Sequence, residues 1–193
     1  MTARRDTRTE VLDLAEKLFH ERGYRGFSYA DIAGPLGVKP AAIHYHFPGK
    51  EELGIALIER LRDRLKNALA HFASHQTPWP KQLESLFDYY RHHASENCAV
   101  CAVGISAIEV EGIPHAMQIQ VRLLIKEMLN AMVQILARGR DAGDFHFEGR
   151  AEERATLLLA ALGGALQLQR LTGMSQLETV IAELQHGLLV ADR

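Results

Sequence analysis

The sequence predicts an all-α protein built from a small N-terminal helix-turn-helix domain and a larger helical domain behind it. Three observations carry this expectation. Apolar residues recur at helical spacing along most of the chain, as Val11, Leu14, Ala15 and Leu18 do at i, i+3, i+4 and i+7. No stretch of any length alternates apolar and polar residues as a half-buried strand would. Glycine and proline gather between the periodic stretches, at Gly23, Pro35, Gly37, Pro48-Gly49, Pro78, Pro80, Gly112, Pro114 and Gly143.

The elements follow in order. Thr7 and Glu10 have capping-box spacing, so the first helix should begin near Thr7, and Gly23 is a good stop. Ser28 with Asp31 repeats the start signal. Pro35 is unfavourable deep inside a helix, so Pro35 and Gly37 mark the end of a short second one. Pro40 suits the first turn of a third helix, where the missing N–H is no loss. Phe47-Pro48-Gly49 ends it quickly. A long periodic stretch then runs from Lys50 to about Ser74 through Leu53, Leu57, Leu61, Leu65, Ala68, Leu69 and Phe72. Thr77-Pro78-Trp79-Pro80 reads as a linker, and further helices are expected at roughly 80–95, 100–110, 114–139, 150–172 and 175–190. The stretch 151–171 is apolar nearly all round, with Leu157, Leu158, Leu159, Leu162, Leu166 and Leu168 pointing several ways. A helix without a polar face must be covered on both sides. Ala160, Ala161, Gly163, Gly164 and Ala165 allow close approach, so a second copy of the chain, pairing through this helix and the last one (Leu177, Val180, Ile181, Leu184, Leu188), is the expected cover.

Composition narrows the class. The chain has 193 residues, is 47% hydrophobic and carries a formal net charge of −2. It can bury a core, and it is not a uniformly basic nucleic-acid coat protein. Basic charge is local: Arg4, Arg5 and Arg8 stand near the start of the sequence. No secretory leader or membrane span is legible, so a cytoplasmic protein with reduced cysteines is expected.

Residues 28–52 carry the functional signal. A short helix, a glycine turn and a second short helix form the unit that many proteins lay in the major groove of DNA. Ile32, Ala33, Leu36 and Val38 can pack its two helices together, with Ile43 and Phe47 as i, i+4 partners facing that small core. Ala41, Ala42, His44, Tyr45 and His46 are left for the other surfaces. The short side chains of Ala41 and Ala42 permit close approach to base edges, and Tyr45 and His46 can reach phosphate. Lys39 and Lys50 flank the helix and suit phosphate contacts; Ser28 and Tyr29, at the start of the preceding helix, complete the DNA-facing set.

The same residues resemble the DNA-binding domain of TetR-family (tetracycline-repressor-type) transcriptional regulators. The matching pieces are Ala15-Glu16-Lys17-Leu18-Phe19, Gly23-Tyr24, Ile32-Ala33, Leu36-Gly37-Val38, Ile43-His44-Tyr45-His46-Phe47 and Lys50-Glu51-Glu52-Leu53. Pro35, and Pro48-Gly49 before the lysine, depart from the family pattern. The resemblance implies a helix-turn-helix domain over residues 1–50 and an effector-binding and dimerisation domain over 51–193. It also implies a homodimer on a pseudo-palindromic double-stranded DNA operator, repressing until a small-molecule effector releases it.

Polar or aromatic groups within apolar stretches are candidates for that effector site: Phe87, Tyr90, His93, Cys98, Cys101, Glu109, Met117, Gln167, Gln169 and Arg170. Cys98-Ala-Val-Cys101 could alternatively sense oxidants or electrophiles, or serve only as small buried hydrophobes. One CxxC with neighbouring histidines is a weak metal signal, and no metal or cofactor is expected. Enzymatic signatures are missing: there is no complete phosphate-binding loop, no G-x-S-x-G and no HExxH. A helical interaction module without DNA affinity is the competing reading.

Overall fold

The computed structural model describes residues 6–95 and 101–188, and the helices among them are α1 (Thr7–Arg22), α2 (Tyr29–Leu36), α3 (Pro40–His46), α4 (Lys50–Ser74), α5 (Trp79–Ser95), α6 (Ala102–Ile108), α7 (His115–Asp141), α8 (Ala151–Thr172) and α9 (Leu177–His186). No strand occurs among the described residues. The chain is all-α, and the sequence expectation stands element by element. One cap differs. Asp6, not Thr7, is the N-cap of α1, and its carboxylate accepts from the Arg8 amide. Thr7 is the first helical residue.

Packing divides the chain into two compact units, one of residues 1–63 with 102–124 and one of residues 64–101 with 125–193. The motif boundary drawn at residue 50 therefore lies inside the first unit. Long helices α4 and α7 each contribute to both.

The first unit contains α1, α2, α3, the start of α4, α6 and the start of α7. Its core is apolar: Val11, Ala15, Phe19, Ile32, Ile43, Phe47, Leu53, Leu57, Ile58 and Met117 are all at most 2% exposed. Arg60 of α4 is paired with Asp13 and Glu16 of α1, and Arg62 donates to Gln120 of α7 at 2.5 Å. The small size of Gly54 lets α4 receive Met117 and Tyr24, since a Cβ there would stand 2.7 Å from the Met117 sulfur.

The second unit is formed by the rest of α4, α5, the rest of α7, α8 and α9. Phe87, Tyr90, Leu136, Leu158, Leu162 and Leu166 are fully buried in it. Arg91 ties α5 to α9 through Glu178 at 3.0 Å and is also held by Glu84 at 2.5 Å and Asp88 at 2.9 Å. The turn between α7 and α8 is fixed by the His146 amide, which donates to the Leu188 carbonyl at 2.7 Å. No described helix is long and apolar enough to cross a membrane.

Candidate nucleic-acid interface

The reading unit starts with the turn between α2 and α3. Gly37 sits at φ +65°, in the left-handed region that side chains disfavour. Its amide donates to the Gly34 carbonyl and the Val38 amide to the Ala33 carbonyl, both at 3.1 Å, which closes the end of α2. Pro35 is accommodated in the last turn of α2. Pro40 opens α3 at its first position, and Lys39 is the N-cap.

The buried and exposed faces of α3 separate cleanly. Ile43 is its one buried residue. Lys39, Ala41, His44 and Tyr45 are exposed, and Ala42 and His46 are half-buried. Tyr45 is 84% exposed and meets the His46 ring edge-on at 5.1 Å. An exposed phenol offers an apolar ring and a hydroxyl to a partner, and aromatic groups are enriched where contacts form.

Four of the expected DNA contacts have partners inside the protein. The Ser28 hydroxyl donates to Asp31 at 2.6 Å and its amide to the same carboxylate at 2.8 Å. These bonds, with Arg22, hold the Asp31 carboxyl below the usual carboxylate range. The Tyr29 hydroxyl lies 2.8 Å from the Phe47 carbonyl and 2.6 Å from the Gly49 carbonyl, so its proton is shared between the two. Burial, with Glu52 and Tyr24, pushes that phenol up to about 12, so it keeps its proton. The His44 ring packs on Tyr29 at 4.7 Å and donates from Nδ1 to the Pro48 carbonyl at 3.1 Å. Lys50 donates to the Phe27 carbonyl, with its ammonium over the rings of Tyr24 (4.9 Å) and Phe27 (4.6 Å). Burial pulls this ammonium below the ordinary lysine value, against the opposing pull of Glu109 and Asp31. Here Ser28 caps α2, while Tyr29, His44 and Lys50 fix α2, α3 and the start of α4 relative to one another. The residues whose groups stand open are Lys39, Ala41 and Tyr45. Sequence reasoning could not separate the two sets, because a staple to a backbone carbonyl leaves no sequence pattern.

The effector candidates fall in both units. Glu109 and Met117 belong to the first unit, the other described ones to the second. The Glu109 carboxylate accepts from the Tyr24 amide at 2.6 Å and the Arg25 amide at 3.4 Å, just past α1. Gly23 is required there: it has φ +76°, and a Cβ would stand 2.7 Å from the carboxylate. Glu109 is thus a clasp between the end of α6 and the α1–α2 turn, a role hidden from the sequence by the separation of 85 positions. Met117 is a core residue behind Gly54. Gln167 and Arg170 are exposed on α8. Phe87, Tyr90 and Cys101 are buried, and His93, half-buried, donates from Nδ1 to the Tyr89 carbonyl at 2.8 Å. Cys98 lies outside the described residues. Among those described, no group of three or more His, Cys, Asp and Glu side chains is placed to hold a metal ion.

Replacing Glu109 by Gln keeps the shape but puts an amide N–H₂ where a carboxylate accepts two N–H groups. Bonds to charged acceptors are worth about 1.5–3 kcal/mol each at most. The expected loss is about 2 kcal/mol in urea unfolding of the full chain; an unchanged midpoint would show that the clasp contributes nothing.

Comparison with known proteins agrees with this geometry. Residues 11–57 match the family model for bacterial regulatory proteins of the tetR family. The HTH-type transcriptional regulator TtgR of Pseudomonas putida is 40% identical over 58 residues, which are 30% of this chain and 28% of that protein. The HTH-type transcriptional repressor NemR of Escherichia coli is 23% identical over 94% of this chain and 93% of its own length. A TetR-family transcriptional regulator from Agrobacterium tumefaciens has the same fold, with a TM-score of 0.84 and 24% identity over 95% of this chain and 97% of that one. The chain therefore carries a TetR-family helix-turn-helix domain at residues 11–57, on an all-α body with the fold of the TetR-family regulators.

Proposed function

We propose that this protein is a transcriptional repressor that binds a palindromic DNA operator as a homodimer and lets go when a small molecule occupies its helical body. The observation that supports it most is the α2–α3 unit. Its glycine turn, its stapled frame and the open Lys39, Ala41 and Tyr45 match what a groove-reading helix needs. Ala41 is short enough to approach a base edge, and Lys39 and Tyr45 reach outward to phosphate. Lys50, held by Phe27, acts by setting the start of α4. NemR, similar over nearly its whole length, is named a repressor.

One reading helix is half a reader, so the dimer is part of the proposal. Along α8 the residues Leu157, Ala161, Gly164, Leu168 and Leu171 recur at alternating steps of four and three, forming one stripe. Within it Leu157 is 51% exposed, Leu168 50% and Leu171 83%. A Cβ added at Gly163 or Gly164 would meet nothing within 4 Å. A second copy of the same stripe is the natural cover.

The decisive experiment is the salt dependence of binding to a palindrome from the protein's own promoter. A dimer neutralising about six phosphates gives a slope of log K against log salt near −5. A slope near zero, or binding as tight to scrambled DNA, would mean that the N-terminal unit binds something other than an operator.

A further inference from the structure

Resting on the reading that α3 enters a DNA groove, we propose that Arg8 of α1 is a further phosphate-binding residue, which grips the DNA backbone at the end of α3 opposite Lys39. Arg8 lies in the first turn of α1, and its guanidinium stands over the Phe47 ring, 5.3 Å from the ring centre. Phe47 is the C-cap of α3. The fold thus sets a cation from the start of α1 at the last turn of α3. Lys39, exposed, is the N-cap of the same helix, so α3 has one basic side chain at each end. The helical rise puts Lys39 and Phe47 about 12 Å apart, close to the width of a major groove. Phosphates border the groove on both sides, so a helix of this length that enters it meets backbone at either end.

Nothing in α1 itself calls for a cation there. The first turn of a helix carries the positive end of its dipole and favours acidic groups. α1 otherwise follows that rule, with Asp6 as its N-cap and Glu10 in the first turn. Lys17, Arg22 and Arg60, in the same unit, are ion-paired with Glu21, Asp31 and the Asp13–Glu16 pair. Arg8 is exposed and is held by a ring instead. A residue that breaks a local rule without gain to its own helix marks a functional position. A guanidinium over a ring is attracted through its charge and keeps its N–H donors for other partners. Those donors form a fixed fork, and a phosphate can take two of them at once. The ring also limits the freedom of the side chain, so less is lost on binding. Phosphate contacts give position and affinity without sequence information. Arg8 therefore tightens the grip on any duplex and leaves base preference to α3.

Two variants of the full-length protein test this. Arg8→Met keeps a long side chain over Phe47 and removes the charge, and Arg8→Lys keeps the charge. Parent and variants are titrated by fluorescence anisotropy against a palindrome from the protein's own promoter and against a scrambled duplex, between about 50 and 200 mM KCl. The proposed dimer carries one such contact per head, so Arg8→Met should make the slope of log K against log salt less steep by about 2. Its affinity should fall by the same factor on both duplexes, and that deficit should shrink about tenfold across this salt range. Arg8→Lys should keep the parent slope. A change in packing alone would not alter the slope, so the readout separates phosphate binding from a structural role. An Arg8→Met protein with the parent's steep slope would overturn this proposal alone, whether or not it melts lower. A loss on the palindrome only would overturn it too, since it would make Arg8 a reader of bases. A parent protein without any salt slope would fail the regulator reading and this proposal together.

Discussion

Leu168→Glu should turn the protein into a monomer and weaken operator binding by at least about a hundredfold. The stripe on α8 is apolar at its ends and small at its middle, with Leu157 on one side, Leu168 and Leu171 on the other, and Ala161 and Gly164 between them. Small residues let two helix axes approach, and in the proposed dimer the leucines bury against the partner copy. In that dimer a carboxylate at position 168 would enter an apolar interface twice, once from each copy. Its desolvation costs several kcal/mol per ion, more than a helix pair of this size can offset. Each monomer would keep its own fold, because Leu168 is 50% exposed within the chain and the buried Leu166 lies on the opposite face of α8. The DNA consequence is geometric. Two reading heads one helical turn apart bind as a unit only when a dimer links them, and the linkage multiplies affinity by about 10²–10⁴. Sedimentation equilibrium reads the first effect and fluorescence anisotropy the second. A Leu168→Glu protein that still sediments as a dimer would place the interface elsewhere.

How much of this was legible in the sequence depends on what each feature leaves behind. The double-sided character of α8 was legible, because a helix lacking a polar stripe must be covered twice, and the structure leaves one side open where Leu168 and Gly164 stand. The helix ends were legible at Gly23 and Gly37, where backbone geometry demands glycine. The inward-facing Ile43 and Phe47 followed from their spacing. Staples were not legible. Tyr29 reaching the Phe47 and Gly49 carbonyls, and Glu109 reaching the Tyr24 amide, pair a side chain with backbone, and any residue type offers that backbone. Glu109 therefore looked like a polar group in an apolar stretch, a pocket candidate, when it is a clasp. The division into units was hidden for a related reason. Helical periodicity says which face is buried and not which neighbour buries it, so the sequence could not tell that α6 packs with α1.

Ile43→Ala should abolish operator binding while leaving the helical body intact. α3 has seven residues, too few to hold a helix in water by its own hydrogen bonds. Its one buried side chain is Ile43, 0% exposed, set against Ile32 and Ala33 of the same small core. Phe47, 2% exposed, closes the helix with its amide on the Ile43 carbonyl at 2.8 Å. Truncating a buried Ile to Ala costs about 2–5 kcal/mol, and nothing on the far face of α3 can offset it, because Ala41 and Tyr45 point away into solvent. The penalty should appear as local opening. Amide hydrogens of residues 43–47 should lose most of their exchange protection while those of α8 keep theirs. Both heads of the proposed dimer would carry the same defect, so affinity loses the ordering cost twice, and binding should fall to the non-specific level of about 10⁻⁴–10⁻⁶ M. Ile43→Val separates shape from chemistry: it loses one methylene at about 0.5–1.5 kcal/mol and should bind within several-fold of the parent. If Ile43→Ala retained the parent's affinity, α3 would not be the element that reads DNA, and the exposed Tyr45 would need another partner.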